Sequence, residues 1–165
     1  MYYIVIAALV ALDQMVKYAV QLKMQLNSSI PVIDGVFHLT YIQNFGAAFS
    51  ILQNQQALLQ GVSGLAIAVM LAYLIWKGKT LHPMAGAALA LIIAGGAGNL
   101  IDRVTKGYVV DYLDFRVWPI FNVADIAVCC GCGLLIFYVL FWEGKAAAKG
   151  RGLGTKSHGG ERGDV

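Results

Sequence analysis

Four stretches of about 20 residues carry almost no charge, from roughly Tyr3 to Leu22, Ala57 to Trp76, Met84 to Ile101 and Ala124 to Trp142. An α-helix rises about 1.5 Å per residue, so about 20 apolar residues cross the hydrocarbon core of a bilayer. The pattern predicts an all-α membrane protein with four transmembrane helices. A soluble domain keeps roughly a quarter of its residues charged. Here 13% are charged and 59% hydrophobic, with a mean hydropathy of +0.68. Pro31, Pro83 and Pro119 fall between the stretches, where helix breakers belong. The first stretch lacks a basic leader and contains Asp13, Gln14 and Lys17, so it reads as a retained span. Residues 1–142 are expected to form one four-helix domain. Residues 143–165, rich in Gly, Lys and Arg, are expected to form a disordered tail.

Lys and Arg near the span ends set orientation. Lys77, Lys79, Lys145, Lys149, Arg151, Lys156 and Arg162 fall on one side, against Lys23, Arg103, Lys106 and Arg116 on the other. Both termini are therefore expected in the cytoplasm. Whatever the orientation, four spans bring the segments Lys23 to Gln56 and Asp102 to Val123 out on the same face. In those segments, Val36 to Ile42 after the Asp34-Gly35 turn signal, and Tyr108 to Val117, read as short extended runs. They predict a small β platform on the outer membrane surface.

Several function classes fall away. A net charge of +3 without a basic stripe among exposed aromatics excludes a nucleic-acid surface. Cys129, Cys130 and Cys132 share one apolar run and read as small helix-packing residues. Small residues at four-residue spacing, Gly64, Ala68 and Ala72 and then Gly86, Ala90, Ala94 and Gly98, also read as packing seams. His38, His82 and His158 stand in separate segments without metal-ligand spacing, so neither a metal nor a cofactor is expected. Ser28, Ser29, Ser50, Ser63 and Ser157 have no evident base partner. The glycines near Gly95 end an apolar helix and do not open one after a strand, unlike a dinucleotide fingerprint.

An ionisable side chain in hydrocarbon costs on the order of 2.5–3.5 kcal/mol on the insertion scale, so each one asks for a partner or a task. Asp13 and Lys17 stand one helical turn apart and can pair, with ion-pair anchoring and a direct role both open. Twelve uncharged residues before Asp13 span about 18 Å, placing it in the outer half of the membrane. Asn44 and Gly46 precede the second span, Asn99, Asp102 and Arg103 close the third, and Asp111, Asp114, Asn122 and Asp125 lead into the fourth. All lie toward one face, whereas a transporter spreads acids through the bilayer depth.

Asp111 and Asp125 are the best chemical candidates. A fold-back at Pro119 would bring them together at the mouth of the fourth helix. Two close carboxyls share a proton, so one can take a proton from water while the other protonates a carbonyl oxygen. Equally, Asp111 reads as a solvated loop carboxylate and Asp125 as a helix N-terminal charge favoured by the macrodipole.

Five motifs occur in order: Asp13-x-x-x-Lys17, Asn44-Phe45-Gly46-Ala47-Ala48-Phe49, Gly95-Gly96-Ala97-Gly98-Asn99-Leu100-Ile101-Asp102-Arg103, Val109-Val110-Asp111-Tyr112 and Phe121-Asn122-Val123-Ala124-Asp125. Together they resemble the bacterial lipoprotein signal peptidase family, signal peptidase II, over the whole chain except the tail. The resemblance implies an aspartyl endopeptidase of the bacterial cytoplasmic membrane that removes the signal peptide just before a diacylglyceryl-modified cysteine. It implies Asp111 and Asp125 as the catalytic pair, with Asn44, Gly46, Asn99, Asp102, Arg103 and Asn122 lining or supporting the site. Asp13 and Lys17 would be a bracing ion pair. The partners implied are the prolipoprotein, membrane lipid and a globomycin-type inhibitor, for a monomer with its active site toward the outer face. The alternatives are a small transporter or ion-conducting protein using Asp13, Lys17 and Asp125, or a helix-packing scaffold.

Overall fold

The structure, a computed structural model, describes residues 1–46 and 55–143. In chain order it contains α1 (Tyr2–Lys23), β1 (Ser29–Ile33), β2 (Phe37–Asn44), α2 (Gln56–Lys77), α3 (Pro83–Lys106), β3 (Val109–Asp114) and α4 (Val123–Tyr138). A π-helical turn, Val139–Glu143, continues α4. Among the described residues, four helices are long and apolar enough to cross a membrane, and they are the four read from the sequence. Ala47, Ala48, Phe49, Ser50, Ser157, His158 and the tail from residue 144 lie outside the described residues.

Helix α3 is the hub and packs against each of the other three helices. Of its apolar window 56% is buried, against 11–17% for the others. Its seam is made of small residues, Gly86, Ala90, Ala94 and Gly98 among them, all buried, and this is what lets three neighbours approach one helix. A Cβ on Gly131 of α4 would come within 2.8 Å of the Ala88 carbonyl oxygen, a measure of how close the α3–α4 backbones lie. Pro83 occupies the first turn of α3 and not the preceding linker as expected, because N1 is the helical position where proline's missing N–H costs nothing.

The third span also differs at its other end, running to Lys106 and not to Ile101. Asp102 and Arg103 look like a stop, but inside the fold Asp102 is paired with Lys17 at 3.1 Å and Lys106 at 2.9 Å. Gly107, at φ 78°, ends the helix in the left-handed conformation that favours glycine.

Two other packing expectations are corrected. On α2, Ala68 and Ala72 are exposed. The face of α2 that packs carries Ile67, Met70, Leu71 and buried Leu74, against Leu89 and Ile93 of α3. Cys129, Cys130 and Cys132 are exposed, and α4 packs through Ala124, Ala127 and Gly131 instead. Helix α1 is inverted relative to a soluble amphipathic helix, its buried residues being Asp13, Lys17 and Val20.

Above the bundle lies a three-stranded antiparallel sheet in the order β1-β2-β3. The two extended runs read from the sequence are β2 and β3, and β1 is an addition. It is an edge strand holding Pro31, which reads locally as a breaker but needs no ladder partner on its outer side. Val20 of α1 packs against Tyr41, Val110 and Tyr112 in the core that seats the sheet on the helices.

Candidate active site

Alternation along β3 sends Val110 and Tyr112 into that core and turns Asp111 to the opposite face. Asp111 pairs with Ile42 of β2, and Asn44 stands two residues further along the same face. Beyond β3 the chain folds back: the Leu113 N–H donates to the Phe121 carbonyl at 2.8 Å, and Phe121 returns the bond at 3.1 Å. This return delivers Asn122 beside Asp111.

Asn122 is the N-cap of α4, and Asp125 is the third helical residue. The Asn122 side-chain oxygen accepts the Asp125 N–H at 3.0 Å, while Asp125 Oδ2 accepts the Asn122 N–H at 3.1 Å. This reciprocal capping box fixes both side chains at the helix mouth. The remaining Asn122 donor, Nδ2, lies 2.7 Å from Asp111 Oδ1. One asparagine therefore touches both carboxyls.

Each oxygen of the two carboxyls accepts a hydrogen bond. Asp111 Oδ1 accepts from Asn122, and Oδ2 from Asn44 Nδ2 at 2.9 Å. Asp125 Oδ1 accepts from Asn99 Nδ2 at 2.8 Å, and Oδ2 from the Asn122 N–H. The orientation of all three amides follows from chemistry, since each oxygen faces a group that can only donate. Asn44 Oδ1 meets the Gly46 N–H at 2.9 Å, Asn122 Oδ1 the Asp125 N–H, and Asn99 Oδ1 the Lys17 ammonium at 2.9 Å. Burial, and next the Asp125 carboxylate, push the Asp111 pKa up to about 7, against the pull of Asn44 and Asn122.

Asp13 and Lys17 form a buried pair at 2.9 Å. They do not stand alone as the sequence suggested, because Lys17 also reaches Asp102 and Asn99. Asp13 Oδ1 accepts the Ala124 N–H at 3.1 Å and so ties α1 to the first turn of α4. Asp102 Oδ2 accepts the Val110 N–H at 3.2 Å, tying α3 to β3. Arg103 Nη2 donates to the Gly46 carbonyl at 3.1 Å, and its buried Nε has no partner among the described residues.

Asn44, Asn99, Arg103, Asp111 and Asp125 form the polar end of a cavity of about 560 Å³. Its apolar wall runs down between α2 and α4, past Ile67, Met70, Ile92, Val128 and Cys129. Trp118, Pro119, Ile120 and Phe121, from the return segment between β3 and α4, also line it. Neither this groove nor the Lys17–Asn99 bond is legible in the sequence, since both join residues far apart in the chain. Of the buried charge cluster, the Asp13–Lys17 spacing is legible in the sequence, and the i,i+4 spacing of Asp102 and Lys106 is a second local cue.

Carboxyls so arranged, one buried with a pKa near neutrality and both open to a mostly apolar groove, can activate water without a metal or covalent intermediate. A family model described as signal peptidase (SPase) II matches residues 5–141. A lipoprotein signal peptidase of Halothermothrix orenii is 50% identical over 143 residues, covering 87% of this chain and 96% of the relative. One of Clostridioides difficile is 45% identical over 148 residues, covering 88% and 99%. Among solved structures, one described as a bacterial membrane enzyme aligns with a TM-score of 0.79 at 27% identity, covering 98% of this chain and 94% of that one. A second, described in the same way, aligns with a TM-score of 0.77 at 30% identity, covering 86% and 93%.

Proposed function

Because the chain belongs to the signal peptidase II family, and so is a multi-pass bacterial membrane hydrolase acting on lipoprotein precursors, we propose that Asp111 and Asp125 are its catalytic pair. The observation that carries this reading is the single Asn122 side chain and N–H joining the two carboxyls at the polar end of one cavity. One ionised carboxylate takes a proton from water as the water oxygen attacks the scissile carbonyl. The other carboxyl gives its proton to the carbonyl oxygen. Collapse of the tetrahedral intermediate breaks the C–N bond, the leaving nitrogen takes the proton that the first carboxylate received from water, the hydroxyl proton returns to the second, and the lipidated cysteine departs with a free α-amino group.

Asn44, Asn99 and Asn122 hold the carboxyls in register, and the Arg103 guanidinium, whose Nη2 holds the Gly46 carbonyl, places a positive charge beside them at the polar end of the cavity. Gly46 keeps Asn44 and Arg103 in place through its N–H and carbonyl. Asp102 supports β3. The apolar wall suits a signal peptide and the acyl chains of a diacylglyceryl cysteine, whose scissile bond lies near the bilayer surface. The charge asymmetry of the short turn and tail supports cytoplasmic termini, with the site toward the outer face of the cytoplasmic membrane. On this reading the enzyme works as a monomer comprising residues 1–142, and a globomycin-type inhibitor occupies the cavity.

The deciding experiment incubates purified protein with diacylglyceryl-modified and unmodified precursors, with and without globomycin. Cleavage of the lipidated precursor alone, abolished by globomycin and by Asp111→Asn or Asp125→Asn in folded protein, is expected. Normal turnover by either variant overturns the assignment.

A further inference from the structure

The buried cation Lys17 has more to do than balance charge. Its ammonium carries three hydrogens, and it has three acceptors: Asp13 Oδ2 at 2.9 Å, Asn99 Oδ1 at 2.9 Å and Asp102 Oδ2 at 3.1 Å. Asp13 and Asp102 are each served by other donors. Ala124 N–H and Gln14 Nε2 reach Asp13, and Lys106 and the Val110 N–H reach Asp102. Among the described residues Asn99 Oδ1 has no other charged donor. Its other partner there is Asn122 Nδ2 at 3.1 Å, and Asn122 divides its two hydrogens among Asn99, Val110 and Asp111. The groups facing Lys17 are thus Asp13 from α1 and Asn99 and Asp102 from α3, with Lys106 balancing Asp102 and Asp125 one amide away on α4.

We propose that Lys17 is a positioning residue for the catalytic pair: by donating to Asn99 Oδ1 it turns the Asn99 amide so that its NH₂ meets Asp125 and holds that carboxylate as an acceptor. It rests on the reading of Asp111 and Asp125 as the pair, and deepens it. A cation with no lone pair fixes the direction of the Asn99 amide fully, where a hydroxyl or second amide, able to accept as well as donate, would fix it only in part. With Lys17 gone, the amide oxygen can face Asp125, and a donor becomes a repelling acceptor.

The test removes the Lys17 charge together with one partner charge, so that no lone carboxylate is buried. Asp13→Asn is the reference, because its amide oxygen can still accept the Ala124 N–H. On that background Lys17→Met is expected to lower kcat per folded molecule roughly tenfold to a hundredfold, the span of one hydrogen bond to a charged group, with KM within about twofold. Lys17→Gln, which keeps a donor, is expected to recover part of the loss. A merely structural Lys17 would change the thermal midpoint and the folded yield and leave kcat per folded molecule unaltered. That result, or equal kcat for the Met and Gln chains, overturns the proposal. If the Met chain does not fold, Lys17→Gln on the same background carries the test: kcat per folded molecule equal to the Asp13→Asn reference overturns the proposal, and a partial loss with KM within about twofold supports it. Turnover by Asp111→Asn or Asp125→Asn would instead show that the pair itself was wrongly assigned.

Discussion

Asn122 Nδ2 lies 2.7 Å from Asp111 Oδ1, across eleven residues of chain. The same residue caps the helix that carries Asp125. The residue that starts the last helix therefore also holds both carboxyls.

Replacing Asp111 with Asn removes the proposed acid–base group and also a carboxylate whose ionised form burial disfavours. Its folded pKa of about 7 stands above the ordinary 3.8, so its contribution to stability is full below pH 4 and is lost as pH rises to about 7. Asp111→Asn is expected to cost at least about 10³ in kcat and, above pH 7, to be more stable than the parent by roughly 2–4 kcal/mol. Thermal unfolding in detergent at pH 4 and pH 8 checks this; equal differences at both pH values would contradict it.

On the proposed mechanism the proton that the pair needs leaves when Asp111 ionises, so kcat/KM is expected to fall above about pH 7. The Asn44 hydrogen bond holds that pKa down. Asn44→Ala should therefore move the alkaline limb to higher pH. A limb that stays in place or moves down in the pH–rate profile would separate Asp111 from the ionisation that controls turnover.

Close approach of α3 and α4 depends on Gly95, where a Cβ would run into the Ala124 carbonyl oxygen and lie 2.8 Å from Val128 Cγ2. Gly95→Ala is expected to destabilise by roughly 1–3 kcal/mol and to lower activity, because Ala124 and Asp125 share the displaced turn. At Gly61 a Cβ meets nothing within 4 Å, so Gly61→Ala should be neutral or stabilise by up to about 1 kcal/mol. Thermal midpoints of the two variants in the same detergent decide the matter.

Cys129 lines the groove between α2 and α4, whereas its exposed neighbour Cys130 does not. Cys129→Trp should raise KM for the lipidated precursor about tenfold with kcat little changed, and Cys130→Trp should leave both alone. Equal effects from the two would show that the groove does not hold substrate.

Hydropathy made the four helices legible, and with them the single face on which the polar segments emerge, because span length is a local property. It failed where one segment answers to another. The third span was read as ending at Ile101 because Asp102 looks like water-facing charge, and nothing near Asp102 in sequence reports Lys17 on another helix. Ala68 and Ala72 looked like a seam, yet which face of α2 packs is chosen by Leu89 and Ile93 of α3. Conversely, Asp111 and Asp125 were visible as candidates because acids are scarce in so apolar a chain, while the three amides that aim at them were visible only as residues, without direction.

The capping box at Asn122 and Asp125 has a consequence for the newly made chain. Until the final span has begun its first turn against the rest, Asp125 has no fixed address. On the proposed reading of that carboxyl, the chain can cut peptide only once its last piece is seated.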